Sequence, residues 1–264
     1  MTTDTVLSGF DETRGIATLT FNRPEALNTI NVAMARAFLD AVTDLKARDG
    51  LRAIVLTGSG RAFMAGGDIA SMSGTPEQAR QVIQHMLEAL NPAITQLRSI
   101  DAPVIAAVRG AAAGAGLSLA LSADLIIAEE NARFLIGYNG IGAVPDCGGS
   151  WFLPHRIGAT RAAEMMILGR TLTASEALEW GLINKAVAAA EFDDTVARTV
   201  DQVAAGPTRS FGAFRRLMDH ADGNTLASHL EYERQAFLDI TETADFQEGV
   251  AAFLAKRPAR FQGR

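Results

Sequence analysis

Cysteine is almost missing from this chain: Cys147 is the only one, so no disulfide can close within it and a reducing compartment is expected. Long apolar runs are missing too, and none approaches the ~18 residues that a membrane span requires. The opening Met1-Thr2-Thr3-Asp4-Thr5 has neither the basic nor the apolar stretch of a secretory signal, so a cytoplasmic location is expected. Positive charge is also short. With 24 Lys and Arg against 30 Asp and Glu the net charge is -6, which offers no general attraction to nucleic acid or to anionic lipid. Neither a nucleic-acid nor a membrane partner is expected. What remains is an ordinary globular balance of 48% hydrophobic and 20% charged residues over 264 positions. That is enough for one large domain, or for a core with a small terminal part. The last ten residues depart from the overall charge, with Lys256, Arg257, Arg260 and Arg264 and no acid. They read as a solvated tail or as a phosphate contact, and composition does not choose.

Near-alternating Val, Ile, Thr and Phe over Thr5 to Asp11 and Gly15 to Phe21 predict a hairpin. Asn31 then caps a helical stripe of Met34, Ala35, Phe38, Ala41, Val42 and Leu45. Compact apolar strands follow at Ala53 to Thr57, Pro103 to Val108 and Leu125 to Ala128, with a helix over roughly Pro76 to Arg98 between the first two. Such alternation argues for an α/β core with parallel pairing. Beyond about Ala159 the pattern turns helical. Thr173-Ala174-Ser175-Glu176 is a capping box, Gly181 stands where that helix must stop, and four more helices start near Phe192, Pro207, Thr225 and Ala244. The expected organisation is an α/β core over residues 1–199 that carries the site, and a helical part over 200–264.

Two strand exits share a design. The first runs Thr57-Gly58-Ser59-Gly60-Arg61-Ala62-Phe63-Met64-Ala65-Gly66-Gly67-Asp68-Ile69; the second runs Val108-Arg109-Gly110-Ala111-Ala112-Ala113-Gly114-Ala115-Gly116-Leu117. Small residues let backbone N–H groups approach a ligand, and a helix starting near Ala115 has unpaired N–H groups at its positive end. Side by side, the two exits could aim two donors at one oxygen. Singly, each reads as a tight strand–helix packing site. Neither matches G-x-x-x-x-G-K-[ST] or G-x-G-x-x-G, and H-E-x-x-H and G-x-S-x-G are absent. The four histidines are scattered, so no metal site is expected. In Val144-Pro145-Asp146-Cys147-Gly148-Gly149-Ser150-Trp151, Asp146 is either a base in an apolar setting or a helix N-cap. Cys147 beside it reads as a packing residue whose thiolate is disfavoured, and Ser118 as a group that satisfies local backbone.

At these stretches the chain resembles the crotonase (enoyl-CoA hydratase/isomerase) family. Phe21-Asn22-Arg23-Pro24-Glu25-Ala26-Leu27-Asn28 is similar to the family's early N-R-P-x-x-x-N segment, and Ala65-Gly66-Gly67-Asp68-Ile69 to its A-G-[AG]-D-[IL] motif. Gly114-Ala115-Gly116 is similar to G-[GA]-G, and the ending from Glu248 through Lys256 to Phe261 also matches. The resemblance implies a crotonase-like spiral of ββα turns with a C-terminal helical part, assembled as a homotrimer or homohexamer, acting on an acyl-CoA thioester. No cofactor is then needed, because CoA belongs to the substrate. Gly67 and Ala115 would supply the two N–H donors of an oxyanion hole. Ala26, Leu27, Ala65, Asp68, Ile69 and Lys256 would line the CoA and acyl site, and so would Tyr138 and Trp151 unless they are plain core. Family hydratases carry two glutamates where this chain has Ser118 and Tyr138, and neither replaces an ionised carboxylate at neutral pH. The Asp146 segment is most similar to ring-opening epoxyphenylacetyl-CoA isomerases, where the matching aspartate is the acid/base. The resemblance thus implies an isomerase with Asp146 as acid/base. The alternatives are a hydratase or hydrolase with water on Ser118 or Tyr138, or a non-catalytic acyl-CoA-binding protein. The histidine of the related chlorobenzoyl-CoA dehalogenases falls at Asn91, with His85 off register on a helix surface.

Overall fold

The opening alternation forms a hairpin of β1 (Val6–Asp11) and β2 (Ile16–Phe21), turned by the Asp11 carboxylate, which accepts the N–H groups of Thr13 and Arg14. The computed structural model describes residues 4–264. After β2 the chain runs strand, crossover, parallel strand, with β3 (Ala53–Gly58), β4 (Val104–Val108), β6 (Leu125–Glu129) and β9 (Lys185–Val187) added in turn. Together they make a six-stranded sheet of order β1-β2-β3-β4-β6-β9, parallel from β2 onward. Helix α1 (Val32–Lys46) makes the first crossover, and the Asn31 side chain caps it by accepting Met34 N–H. The second crossover is α2 (Pro76–Ser99), opened by a Thr75–Gln78 capping box.

Successive residues along the strands serve opposite faces, as a period of two requires. Ala17, Leu19, Ile54, Leu56, Ala106 and Ile126 join the main core with α1 and α2. Ile16, Ala53, Val55, Ile105 and Ile127 face the other way and are covered by Phe192 and Val200 of α6 (Phe192–Ala204). The 199/200 boundary therefore falls inside a helix that packs on the sheet, and the helices lying beyond the sheet begin with α7 (Thr208–Ala221).

A second, three-stranded sheet joins β5 (Ala111–Ala113), β7 (Arg133–Leu135) and β8 (Thr171–Thr173). Its strands are too short to show a period in the sequence. Helices α3 (Ala115–Leu121), α4 (Gly149–Ile167, broken at Gly158) and α5 (Ala174–Glu179) complete the α/β part. The Thr173–Glu176 capping box and the left-handed Gly181 bound α5 as the sequence predicts.

Polar clasps hold the terminal helices on the core. Arg215 of α7 is 2% exposed; its guanidinium donates to the carbonyls of Leu97, Arg98, Asp101 and Ala102 at the end of α2, and its Nε lies 3.0 Å from Asp124. Asp245, in the first turn of α9 (Ala244–Leu254), accepts the N–H groups of Gln262 and Gly263, and buried Arg52 donates to the Phe261 carbonyl. Between them α8 (Leu226–Thr241) has no buried residue, and Phe237 and Leu238 on α8 stand exposed, as do Phe253 and Leu254 on α9. Among the described residues no helix is long and apolar enough to cross a membrane.

Candidate active site

Three strand exits stack here. Met64 pairs with Ala112 as an isolated parallel bridge, and Ala112 registers with Phe134, so the exits of β3, β4 and β6 lie side by side. Met64 N–H donates to the Ala111 carbonyl, Ala113 N–H to Met64, and Gly114 N–H to Leu135. A few residues on, each exit turns at a glycine of positive φ: Gly66 (104°), Gly114 (51°) and Gly137 (71°). A β-carbon at Gly66 would stand 3.3 Å from the Ala113 carbonyl, and one at Gly114 would stand 3.5 Å from Gly66 Cα. At Gly116 the fit is closer still, with the Met64 carbonyl oxygen 2.3 Å from where a β-carbon would sit. Gly116 thus has no room for a side chain against the Met64 backbone, Gly66 has little, and Gly114 is called for by its positive φ.

The pairing just described consumes neither the Gly67 nor the Ala115 N–H. Sheet-like pairing continues past Gly66 through Ile30, which donates to the Gly66 carbonyl and accepts the Asp68 N–H, passing over Gly67. Ala115 is the first residue of α3, where no intrahelical acceptor exists.

Asp146 does not cap a helix. The N-cap of α4 is Gly148, with no side-chain cap bond, and Asp146 contributes only its backbone carbonyl, which accepts Gly149 N–H at 2.8 Å. Its carboxylate instead accepts the phenol O–H of Tyr138, which is buried beside the Gly114 turn. Ser118 is buried next to the phenol and donates to the Gly114 carbonyl. Cys147 is buried at φ 51°; burial and then the Asp146 charge push its thiol well above the ordinary value, so it stays protonated.

Burial, then the Asp146 charge, also push the Tyr138 phenol far above its ordinary value of 10.0. The unfolded chain therefore releases this proton first. Stability is whole below pH ~10 and declines above it, by about 1.4 kcal/mol per pH unit from this one group. Urea denaturation between roughly pH 9 and pH 11 should show that decline in the native chain and a shallower one in Tyr138→Phe. Equal slopes would mean that the phenol ionises freely in the folded state.

Comparison with known proteins places this arrangement. The family model for enoyl-CoA hydratase/isomerase matches residues 11–264. The chain belongs to that family. It is 38% identical to 1,2-epoxyphenylacetyl-CoA isomerase of Escherichia coli (strain K12) over 95% of this chain and 96% of that one. It is 34% identical to 4-chlorobenzoyl coenzyme A dehalogenase-2 of an Arthrobacter species, over 93% and 90% of the two chains. Among solved structures, an enoyl-CoA hydratase from Polaromonas sp. JS666 superposes with a TM-score of 0.87 at 33% identity, covering 97% of this chain and 99% of that one. The fold is accordingly the crotonase spiral with its helical C-terminal region.

In this family member the loop after β2 is bound to the first exit. Leu27 (φ 52°) accepts Ala65 N–H at 3.0 Å, which sets Ala26 and Leu27 beside Ala65. Asn28, fully buried, donates to the carbonyls of Ser59, Ala62 and Phe63 and accepts Arg23 N–H. Asp68 pairs with Arg23 at 3.0 Å, and Ile69 is exposed. In the sequence Asn28 is only a motif letter, and nothing there signals the Arg23–Asp68 pair, whose partners are 45 residues apart.

Two further expected site residues are exposed in the single chain. Trp151 is half exposed on α4 and packs its ring on His155, which pairs with Asp222. It is not plain core. Lys256 is exposed at the left-handed residue that ends α9. The tail around it is ordered rather than loose: Arg257 forks onto Glu248 at 2.7 and 2.8 Å, holding that carboxyl down at about 2. His85 is exposed on α2.

Proposed function

We propose that the chain is an acyl-CoA isomerase that moves a double bond along an enoyl thioester, or rearranges a ring-epoxide thioester, through an enolate. The observation that carries this is the Asp146 carboxylate. It is bonded to Tyr138 and is not spent on a helix cap, and it lies on the same side of the fold as the Gly66 and Gly114 turns. The thioester oxygen is held by the Gly67 and Ala115 N–H groups, which favour the enolate because they are fixed before charge develops. Asp146 takes a proton from the acyl chain and returns it at another carbon, so the pair of electrons left behind passes through the enolate and the double bond shifts. No metal, nicotinamide or flavin enters this scheme, since CoA arrives with the substrate.

Hydration would need a second acid/base group. Tyr138 keeps its proton, and Ser118 is a neutral hydroxyl that donates to the Gly114 carbonyl. The deciding assay follows enoyl absorbance. A 3-enoyl-CoA should gain the absorbance of the conjugated 2-enoyl thioester, while crotonyl-CoA should keep its own; a ring-epoxide thioester is tested separately. Rapid hydration of crotonyl-CoA with no isomerisation would overturn the reading.

The assembly proposed is a homotrimer or homohexamer. Phe253 is 84% and Leu254 76% exposed in the single chain, and α8 buries nothing, which is more apolar surface than a solvated helical part carries. Light scattering at micromolar concentration should give three or six times the chain mass, and a stable active monomer would rule this out.

A further inference from the structure

The phenol of Tyr138 touches both halves of the site. On one side its O–H donates to Asp146 Oδ1; on the other its Cζ lies 3.9 Å from where a β-carbon on Gly114 would be. Its own backbone is fixed, because Tyr138 N–H donates to Ile136 and its carbonyl accepts Ala143 N–H at 3.0 Å. The loop that carries Asp146 has weaker ties. Apart from the Gly149 bond it passes through a left-handed Cys147 and Gly148 before α4 begins, and Val144 just before it is exposed. The Tyr138 bond therefore ties the carboxylate across to the Gly114 turn.

We propose that Tyr138 is a positioning residue for Asp146: one side chain, seated on the Gly114 turn, holds one carboxylate oxygen and leaves the other to exchange protons with the acyl chain at a fixed distance from the thioester oxygen. This rests on the reading of Asp146 as the acid/base. The phenol gives up no proton in the reaction, and its burial keeps it a donor throughout the working range. It acts by orientation. A phenylalanine would fill the same space and keep the contact with Gly114, but it would release the carboxylate to rotate.

Tyr138→Phe is the test, on the best substrate found for the native enzyme. kcat should fall by roughly 10- to 100-fold, the scale of a small misplacement of a reacting group. KM should stay within about twofold, because the lost interaction does not bind substrate. A purely structural tyrosine would not lower kcat at an unchanged KM in a folded enzyme. A second measurement is independent of turnover. The chain has two tyrosines, so in Tyr232→Phe a 3-fluorotyrosine label reports on Tyr138 alone. Its ¹⁹F resonance should shift when Asp146→Asn is added, as the charged acceptor becomes neutral. Native kcat in Tyr138→Phe, or an unmoved ¹⁹F line, would overturn the proposal. If Asp146→Asn is inactive while Tyr138→Phe is fully active, this proposal alone fails; if Asp146→Asn is fully active, the acid/base reading fails with it.

Discussion

Asp146→Asn should fold, bind acyl-CoA as the native chain does, and lose at least ~10²-fold in turnover, the scale of one positioned acid/base group. The fold is indifferent to the change for a structural reason. The side chain caps nothing, α4 starts from Gly148, and the backbone carbonyl that accepts Gly149 N–H is the same in either residue. The amide oxygen of asparagine can still accept the Tyr138 O–H, so the shape of the site survives while its capacity to take a proton is lost. The measurement is kcat and KM on a 3-enoyl-CoA and on a ring-epoxide thioester, with thermal unfolding as the control. Near-native kcat on the better substrate would remove Asp146 from the mechanism and turn attention to Ser118.

On the proposed function, Ala115→Pro should cost about 10²–10³-fold in kcat, because it deletes one of the two N–H donors assigned to the oxyanion. The position makes this a clean experiment. Ala115 is the first residue of α3, the place in a helix where proline is accepted, since the N–H there has no helical partner. Ala115→Gly keeps the donor and should retain most of the activity, which separates the loss of an N–H from the loss of a methyl group. Circular dichroism and the unfolding midpoint check that α3 survives. A folded Ala115→Pro enzyme with native turnover would show that the thioester oxygen is held elsewhere.

The large strands and helices are legible because each repeats a pattern long enough to detect. Asn31, the Thr173 box and Gly181 mark their ends through chemistry that is local to the chain. The three-residue strands β5, β7, β8 and β9 are not, since three residues such as Ala111–Ala113 carry no period and their pairing is decided by distant partners. The same divide runs through the site. That two small-residue exits belong together can be read from their likeness, whereas the Tyr138–Asp146 bond depends on how a short 3₁₀ turn from Tyr138 to Ile141 redirects the chain. Arg215 and Arg52 look like surface cations in sequence. Their burial follows from carbonyl groups at the ends of helices α2 and α6, and nothing near them in the chain announces it. Trp151 reads in sequence as pocket wall or plain core, and its half exposure on α4 against His155 excludes the core.

The stacking of Gly66, Gly114 and Gly116 against neighbouring backbone has a consequence for how such a protein can change over generations. A side chain at Gly116 would collide with the Met64 carbonyl, so mutation there is removed by failure to fold before any effect on chemistry can be selected. Ser118, Tyr138 and Asp146 place a hydroxyl, a phenol and a carboxylate on the adjoining elements, where a change of side chain alters the polar groups and leaves the glycine backbone in place. The backbone turns are thus the part of this architecture least open to change, and the side chains set beside them are the part where its descendants can differ.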